Sequence, residues 1–178
     1  KHYFDCGTDY DAMETEGHGF RDPFLEQAMA AQSGMRILRQ SLWEVMVSFI
    51  ISQNNNIPRI RGSITKLCCA QGCFPTPQEI LQLKLETCGL GYRDSYLRAA
   101  AKWILQGGAA GPVFRPDKNG ELQQGEKAGE KLRESEGVGP KVEACIRLYG
   151  LHDLSCCPMD TWMKRIVKED YQGVRPAW

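Results

Sequence analysis

The run Gly137-Val138-Gly139-Pro140-Lys141, followed later by Asp160 in Pro158-Met159-Asp160-Thr161-Trp162, puts a glycine-rich turn, a primary amine and a carboxylate in one stretch of chain. Backbone N–H groups of such a turn, here Gly137, Val138 and Gly139, can converge on a phosphate, and Pro140 suits the first turn of a helix. Lys141 then sits in that first turn. The positive end of a helix disfavours a cation, and partial burial would add to this, so the spacing predicts an amine able to act as a nucleophile. Asp160 precedes Trp162, Met163, Ile166 and Val167, which fall at helical intervals, and reads as the N-cap of a further helix. An ionised acid beside a neutral amine suits stabilisation of a positive, sugar-like transition state or removal of a proton from the amine. The same residues also describe a Gly-Pro turn before a surface helix with a solvated lysine, joined to an ordinary aspartate cap. Alone they do not choose.

The elements that must position this pair are helical throughout. After a lead-in from Lys1 to Phe20 that reads as irregular, Asp22-Pro23 opens a helix through about Gln32. Ser41-Leu42-Trp43-Glu44 has the form of a capping box, and Leu42, Val45, Met46, Phe49 and Ile50 follow at helical spacing, so this helix is expected at the centre. It ends in Gln53-Asn54-Asn55-Asn56, amides that neither helix nor strand favours. Another helix is expected from Ile57 through Cys69, and Thr76-Pro77-Gln78-Glu79 repeats the start signal. The turn Gly89-Leu90-Gly91-Tyr92-Arg93 leads into an alanine-rich helix through Ile104. The stretch 107–125 is dense in glycine and holds Pro112 and Pro116, which marks a linker crossing between lobes. Glu126–Ser135 and Lys141–Tyr149 then form two helices about the Gly137 turn, a hairpin spanning about 126–149. Strand alternation and fixed-period repeats are both missing from the pattern, so the class is all-α.

The chain has 178 residues, 42% of them hydrophobic, enough to bury a substantial core without staples. Its 22 basic and 22 acidic residues cancel, so a nucleic-acid partner would be met by a local basic face and not by bulk charge. The 8 cysteines include the adjacent pairs Cys68-Cys69 and Cys156-Cys157, and no secretory signal or membrane-length apolar run accompanies them. Free thiols in a reducing compartment are the simpler reading. Cys68-Cys69, Cys73 and Cys88 lack the paired spacing and histidines of a zinc site.

Three separated segments carry a resemblance. They are Ser52-Gln53-Asn54-Asn55-Asn56-Ile57-Pro58-Arg59-Ile60, Gly89-Leu90-Gly91-Tyr92-Arg93, and Gly137-Val138-Gly139-Pro140-Lys141-Val142 with Pro158-Met159-Asp160. With these in the family's order, the chain resembles the two-lobed helix-hairpin-helix DNA glycosylases, known as HhH-GPD, and within them the 8-oxoguanine glycosylase/AP lyase branch. The resemblance implies base excision repair by a bifunctional enzyme, a DNA glycosylase (hydrolase) and lyase, acting on 8-oxoguanine opposite cytosine. Lys141 would attack the sugar C1′ as the base leaves, forming a Schiff base that eliminates the 3′ phosphate. Asp160 would assist it. Tyr92 matches the wedge that fills the gap left by a flipped base, and Asn54, Arg59 and Arg93 match the readers of the estranged cytosine. Cys145, one helical turn beyond Lys141, matches a residue that packs on the flipped base.

The resemblance further implies no required cofactor, and no iron–sulfur cluster, since no cysteine follows Asp160. A cation on the backbone carbonyls of Arg133, Ser135 and Val138 is implied by the same route. The partner would be double-stranded DNA holding a damaged base, with no membrane, and the enzyme a monomer. It would be intracellular and DNA-associated, in the cytoplasm or nucleoid of a bacterium or the nucleus of a eukaryote. Three departures stand beside this. Ser135-Glu136 replaces the usual Leu-Pro hairpin entry and sets a negative charge near the phosphate site. The family's N-terminal sheet domain, and the C-terminal helix that completes its lesion pocket, are not expected in a domain spanning 1–178. The alternatives are a helix-hairpin-helix module that holds duplex without turnover, and a glycosylase for another oxidised or alkylated base.

Overall fold

The computed structural model describes residues 2–69, 72–110, 125–174 and 176. The protein is all-α, and no strand occurs among the described residues. The chain divides into two compact units, Lys1–Arg39 with Met159–Trp178, and Gln40–Pro158. Most of the linker expected at 107–125 lies outside the described residues.

In the first unit, α1 (Tyr10–Gly19) replaces the irregular lead-in expected there. Asp9 caps it by accepting from Ala12 N at 3.0 Å, and Gly17 is not a breaker but a packing surface. A Cβ at Gly17 would stand 2.6 Å from the Met29 sulfur, so the bare backbone lets α1 close on α2 (Pro23–Ala31). Asp22 caps α2 through Phe24 N and Leu25 N, with Pro23 at the first position as expected. The segment before α1 is tied down by Asp5, which is buried and accepts from Arg39 Nε at 2.6 Å, Thr8 Oγ1 at 2.9 Å and Tyr10 Oη at 2.8 Å. These bonds satisfy a carboxylate that burial would otherwise penalise heavily. Helix α9 (Thr161–Glu169) also belongs to this unit, with Asp160 as its N-cap. Beyond it, Tyr171 packs 5.6 Å from the Phe24 ring. Loss of solvation and its bond to Asp22 push the Tyr171 phenol up to about 12.

The second unit is built on α3 (Leu42–Ser52), whose Val45, Met46, Val47, Ile50 and Ile51 are all buried. It packs against α4 (Ile57–Cys69), α6 (Arg93–Leu105) and α8 (Pro140–Gly150). An apolar helix enclosed on several sides is the arrangement its composition requires. The expected capping box at its start does not form: Ser41 sits at the N-cap, but its hydroxyl makes no cap bond, and the helix begins on Val45 N donating to Ser41 O at 3.0 Å. The equivalent motif at α5 (Pro77–Gln82) does form, with Glu79 N bonded to Thr76 Oγ1 and Thr76 N bonded to the Glu79 carboxylate. Those bonds hold the Glu79 carboxyl below its ordinary range.

The helix-turn-helix at the end of this unit pairs α7 (Gly125–Leu132) with α8. Between them lies a largely buried ionic cluster. Glu143 on α8 accepts from Arg133 Nη1 at 2.8 Å and Arg147 Nη1 at 3.2 Å, and Arg147 also donates to Asp153 at 2.7 Å. Glu143 and Asp153 are each only 5% exposed, so removing either cation would leave an unpaired buried charge.

Candidate active site

A cleft of about 400 Å³ opens where the end of α3, the turn before α6 and the start of α8 converge. Its walls are Ser52, Gln53 and Asn54, then Tyr92, then Gly139, Pro140, Lys141 and Val142. The cleft thus gathers, from three distant segments, the proposed nucleophile, the proposed wedge and one proposed cytosine reader.

The hairpin turn follows from its residues. Gly137 has φ +86, in the region that favours glycine, and a Cβ there would fall 2.4 Å from Tyr96 Cγ. Val138 is buried beneath the turn, and Val138 N donates to Ser135 O at 3.1 Å. Gly139 is the N-cap of α8 and Pro140 its first residue, as the sequence predicts. No side chain caps this helix, so its first N–H groups remain open to an anion. Glu136 and Lys141 are both exposed. The partial burial expected for Lys141 is therefore absent. Its Nζ lies 5.3 Å from the centre of the Phe49 ring, which in turn stacks on Tyr149 at 5.6 Å.

Each asparagine of the triple run has its own task. Asn55 Nδ2 donates to Ile51 O at 3.0 Å and closes the last turn of α3. Asn56 Oδ1 accepts from Arg59 N at 3.0 Å and opens α4. Asn54 takes φ +44, a left-handed conformation that asparagine tolerates better than most residues, and its exposed amide reaches the cleft. Arg59 is exposed on α4, and among the described residues nothing pairs with its guanidinium.

Tyr92 is 51% exposed, as a residue that contacts a partner and not the core would be. Its ring meets Tyr96 edge-on at 5.6 Å and carries the Arg93 guanidinium 4.5 Å above its centre. Arg93 differs from Arg59: it is 4% exposed, and it donates to Leu90 O, Gln53 O and Asn54 O. In this state it builds the asparagine loop. Cys145 is buried one turn beyond Lys141 and is not among the residues that line the cleft. Asp160 belongs to the first unit, where its Oδ1 accepts from Met163 N at 2.9 Å.

Sequence reasoning passed over Gln53, Phe49 and Tyr96. Gln53 stood in a quoted motif without a task, although its position between a helix end and the asparagines was a signal. None of the 8 cysteines forms a disulfide. Among the described residues no group of His, Cys, Asp and Glu is arranged to hold a metal, and no helix is long and apolar enough to cross a membrane.

Residues 47–175 match the model of the HhH-GPD superfamily base excision DNA repair protein. The chain is 35% identical over 167 residues to the N-glycosylase/DNA lyase of Saccharomyces cerevisiae, covering 82% of this chain and 44% of the relative. It is 30% identical over 163 residues to N-glycosylase/DNA lyase OGG1 of Arabidopsis thaliana, covering 82% and 43%. The chain therefore spans less than half the length of these relatives. Among solved structures it is similar to the apo form of Clostridium acetobutylicum 8-oxoguanine glycosylase/lyase, with TM-score 0.83, 30% identity and coverage of 99% of this chain and 64% of that one. It is likewise similar to MBOgg1 in complex with a low affinity DNA ligand, with TM-score 0.79, 33% identity and coverage of 99% and 63%. The family match over most of its length, joined to the hairpin that presents Lys141, places the chain in the HhH-GPD superfamily of base excision DNA repair proteins.

Proposed function

We propose that this chain carries the catalytic helix-hairpin-helix part of an 8-oxoguanine DNA glycosylase/AP lyase that acts opposite cytosine. The observation that carries the reading is the cleft in which Lys141, Asn54 and Tyr92 share one wall system beside an uncapped helix start. Support comes also from a relative, the Clostridium acetobutylicum enzyme, solved with double-stranded DNA containing cytosine opposite 8-oxoG.

The chemistry follows from the groups. A base inside the duplex is out of reach, so it must be flipped out, with Tyr92 wedged into the stack. The open N–H groups of Gly139, Lys141 and Val142 bind a phosphate of the damaged strand. The Lys141 amine attacks C1′, the C1′–N9 bond breaks, and the base departs with the bonding electrons and takes up a proton. By the family resemblance, Asp160 stabilises the positive charge on the sugar or accepts a proton from the attacking amine. Transfer of a further proton from the amine to O4′ breaks the C1′–O4′ bond, opens the sugar ring and gives the Schiff base. Removal of a C2′ proton then expels the 3′ phosphate. Asn54 and Arg59 present an amide and free guanidinium donors to the cytosine left behind, and Arg93 joins them when it leaves its carbonyls.

No cofactor enters these steps. The Arg133, Ser135 and Val138 carbonyls lie in one turn and retain acceptor capacity for a cation that would help seat the phosphate. The enzyme works as a monomer on DNA, in a nucleoid or a nucleus. Borohydride trapping on a duplex with one 8-oxoguanine opposite cytosine tests the assignment. A covalent adduct that disappears in Lys141→Gln is expected. No adduct, or one that survives Lys141→Gln, overturns it, and tight binding without any adduct would indicate a non-catalytic duplex-binding module.

A further inference from the structure

We propose that Gln53 is a positioning residue that couples the loop facing the opposite base to the hairpin that carries the nucleophile. The inference rests on the proposed function. Gln53 follows the last residue of α3 and turns the chain out of the helix with ψ 125. Its side chain crosses to the hairpin, where Nε2 donates to Gly137 O at 3.0 Å. Its own main-chain carbonyl accepts from Arg93 Nε at 2.9 Å, from Arg93 Nη2, and from Tyr92 Oη at 3.4 Å.

These contacts close a ring. Gly137 packs so tightly on Tyr96 that no Cβ fits between them, Tyr96 meets Tyr92 edge-on, and Tyr92 returns to Gln53. A movement of Arg93 or Tyr92 toward the opposite strand releases donors from the Gln53 carbonyl. The same residue holds Gly137, which sets the turn that aims Lys141. One residue therefore touches both the groups that would sense the opposite base and the turn that would present the amine.

The side chain must be a primary amide of this length. Only a donor can satisfy the Gly137 carbonyl, so the isosteric Gln53→Glu places acceptor against acceptor, and Gln53→Asn falls short by a methylene. The test measures dissociation constants for duplexes carrying a tetrahydrofuran abasic analogue opposite cytosine and opposite adenine, together with borohydride-trapping rates opposite the same two bases. Thermal melting of each variant monitors the fold.

The unsubstituted chain is expected to prefer cytosine. In Gln53→Glu and Gln53→Ala the cytosine-to-adenine ratio is expected to fall about tenfold, the effect of one lost coupling hydrogen bond. Equal loss against both bases, with the ratio kept within about twofold in both variants, overturns the proposal and leaves Gln53 a merely structural contact. No preference in the unsubstituted chain overturns it as well. Failure of the functional reading is seen separately, as absence of trapping in the unsubstituted chain, because the binding ratio does not depend on bond cleavage.

Discussion

The Arg93 guanidinium donates from Nη2 to the main-chain carbonyl of Asn54 at 2.9 Å, joining residues from the start of α6 and the end of α3. With its further bonds to Gln53 O and Leu90 O, this side chain holds the asparagine loop in the shape that exposes the Asn54 amide. Arg93→Ala leaves those carbonyls without their donors. Urea unfolding should show a loss of about 3 kcal/mol, and Arg93→Lys should recover less than half of it, because an ammonium lacks the planar fork that serves several acceptors. Arg59→Ala, at an exposed guanidinium with no partner among the described residues, should leave stability within about 0.5 kcal/mol and weaken only DNA binding.

Asp160→Asn separates charge from cap. Asparagine caps a helix as well as aspartate, so the bond to Met163 N at 2.9 Å can persist while the negative charge is lost. Single-turnover excision should fall by about a hundredfold or more, with the melting temperature nearly unchanged. Asp160→Ala should add a stability loss of about 1 kcal/mol. Normal excision by the asparagine variant would remove Asp160 from the chemistry.

Gly137→Ala meets two obstacles, a φ of +86 and the Tyr96 ring 2.4 Å from the new Cβ. A left-handed backbone alone costs an L-residue about 1–2 kcal/mol, and the ring must also move. Melting should fall by about 6 °C or more, and duplex binding should weaken because the open N–H groups at the start of α8 are displaced. A Cβ at Gly139 would meet nothing within 4 Å, and φ there is −84, so Gly139→Ala should be far milder in the melt.

Alkaline stability should depend on Cys156. Burial pushes its thiol from an ordinary 9.0 up to about 11, a shift that the neighbouring Arg147 cation opposes. Below pH 9.0 the thiol is neutral in both folded and unfolded chains, and its titration changes nothing. Between 9.0 and about 11 the unfolded chain gives up the proton while the folded chain keeps it, so stability falls as pH rises. Cys156→Ala should flatten that part of the curve in denaturant titrations. An unchanged slope would place the alkaline sensitivity elsewhere.

Helix starts were legible where a capping side chain or a first-turn proline marks them: Asp22-Pro23, Thr76-Pro77-Gln78-Glu79, Gly139-Pro140 and Asp160 all begin helices where the sequence predicts. The same rule overreached at Ser41, because a matching motif does not oblige the hydroxyl to turn inward. It missed α1 in the stretch that reads as an irregular lead-in, where Gly17 is the place at which Met29 packs. At the site, residue types and spacing singled out Lys141, and the family resemblance singled out Asn54 and Tyr92; the three line one cleft. What types could not convey was occupation: Arg59 and Arg93 look alike in sequence, yet one guanidinium is open and the other is spent on carbonyls. Lys141 likewise lies exposed over an aromatic face, where local sequence suggested partial burial.

That aromatic resting place governs how freely the Lys141 side chain can be moved. Attraction between an ammonium and a ring face at an exposed site is worth about 0.5–1 kcal/mol and tolerates sliding, whereas a hydrogen bond fixes direction. With Nζ 5.3 Å from the Phe49 centroid, the lysine keeps a preferred bearing without a latch. An incoming group can draw the side chain away at a cost close to thermal energy, so, on the proposed function, the arrival of a flipped nucleotide decides when the lysine moves.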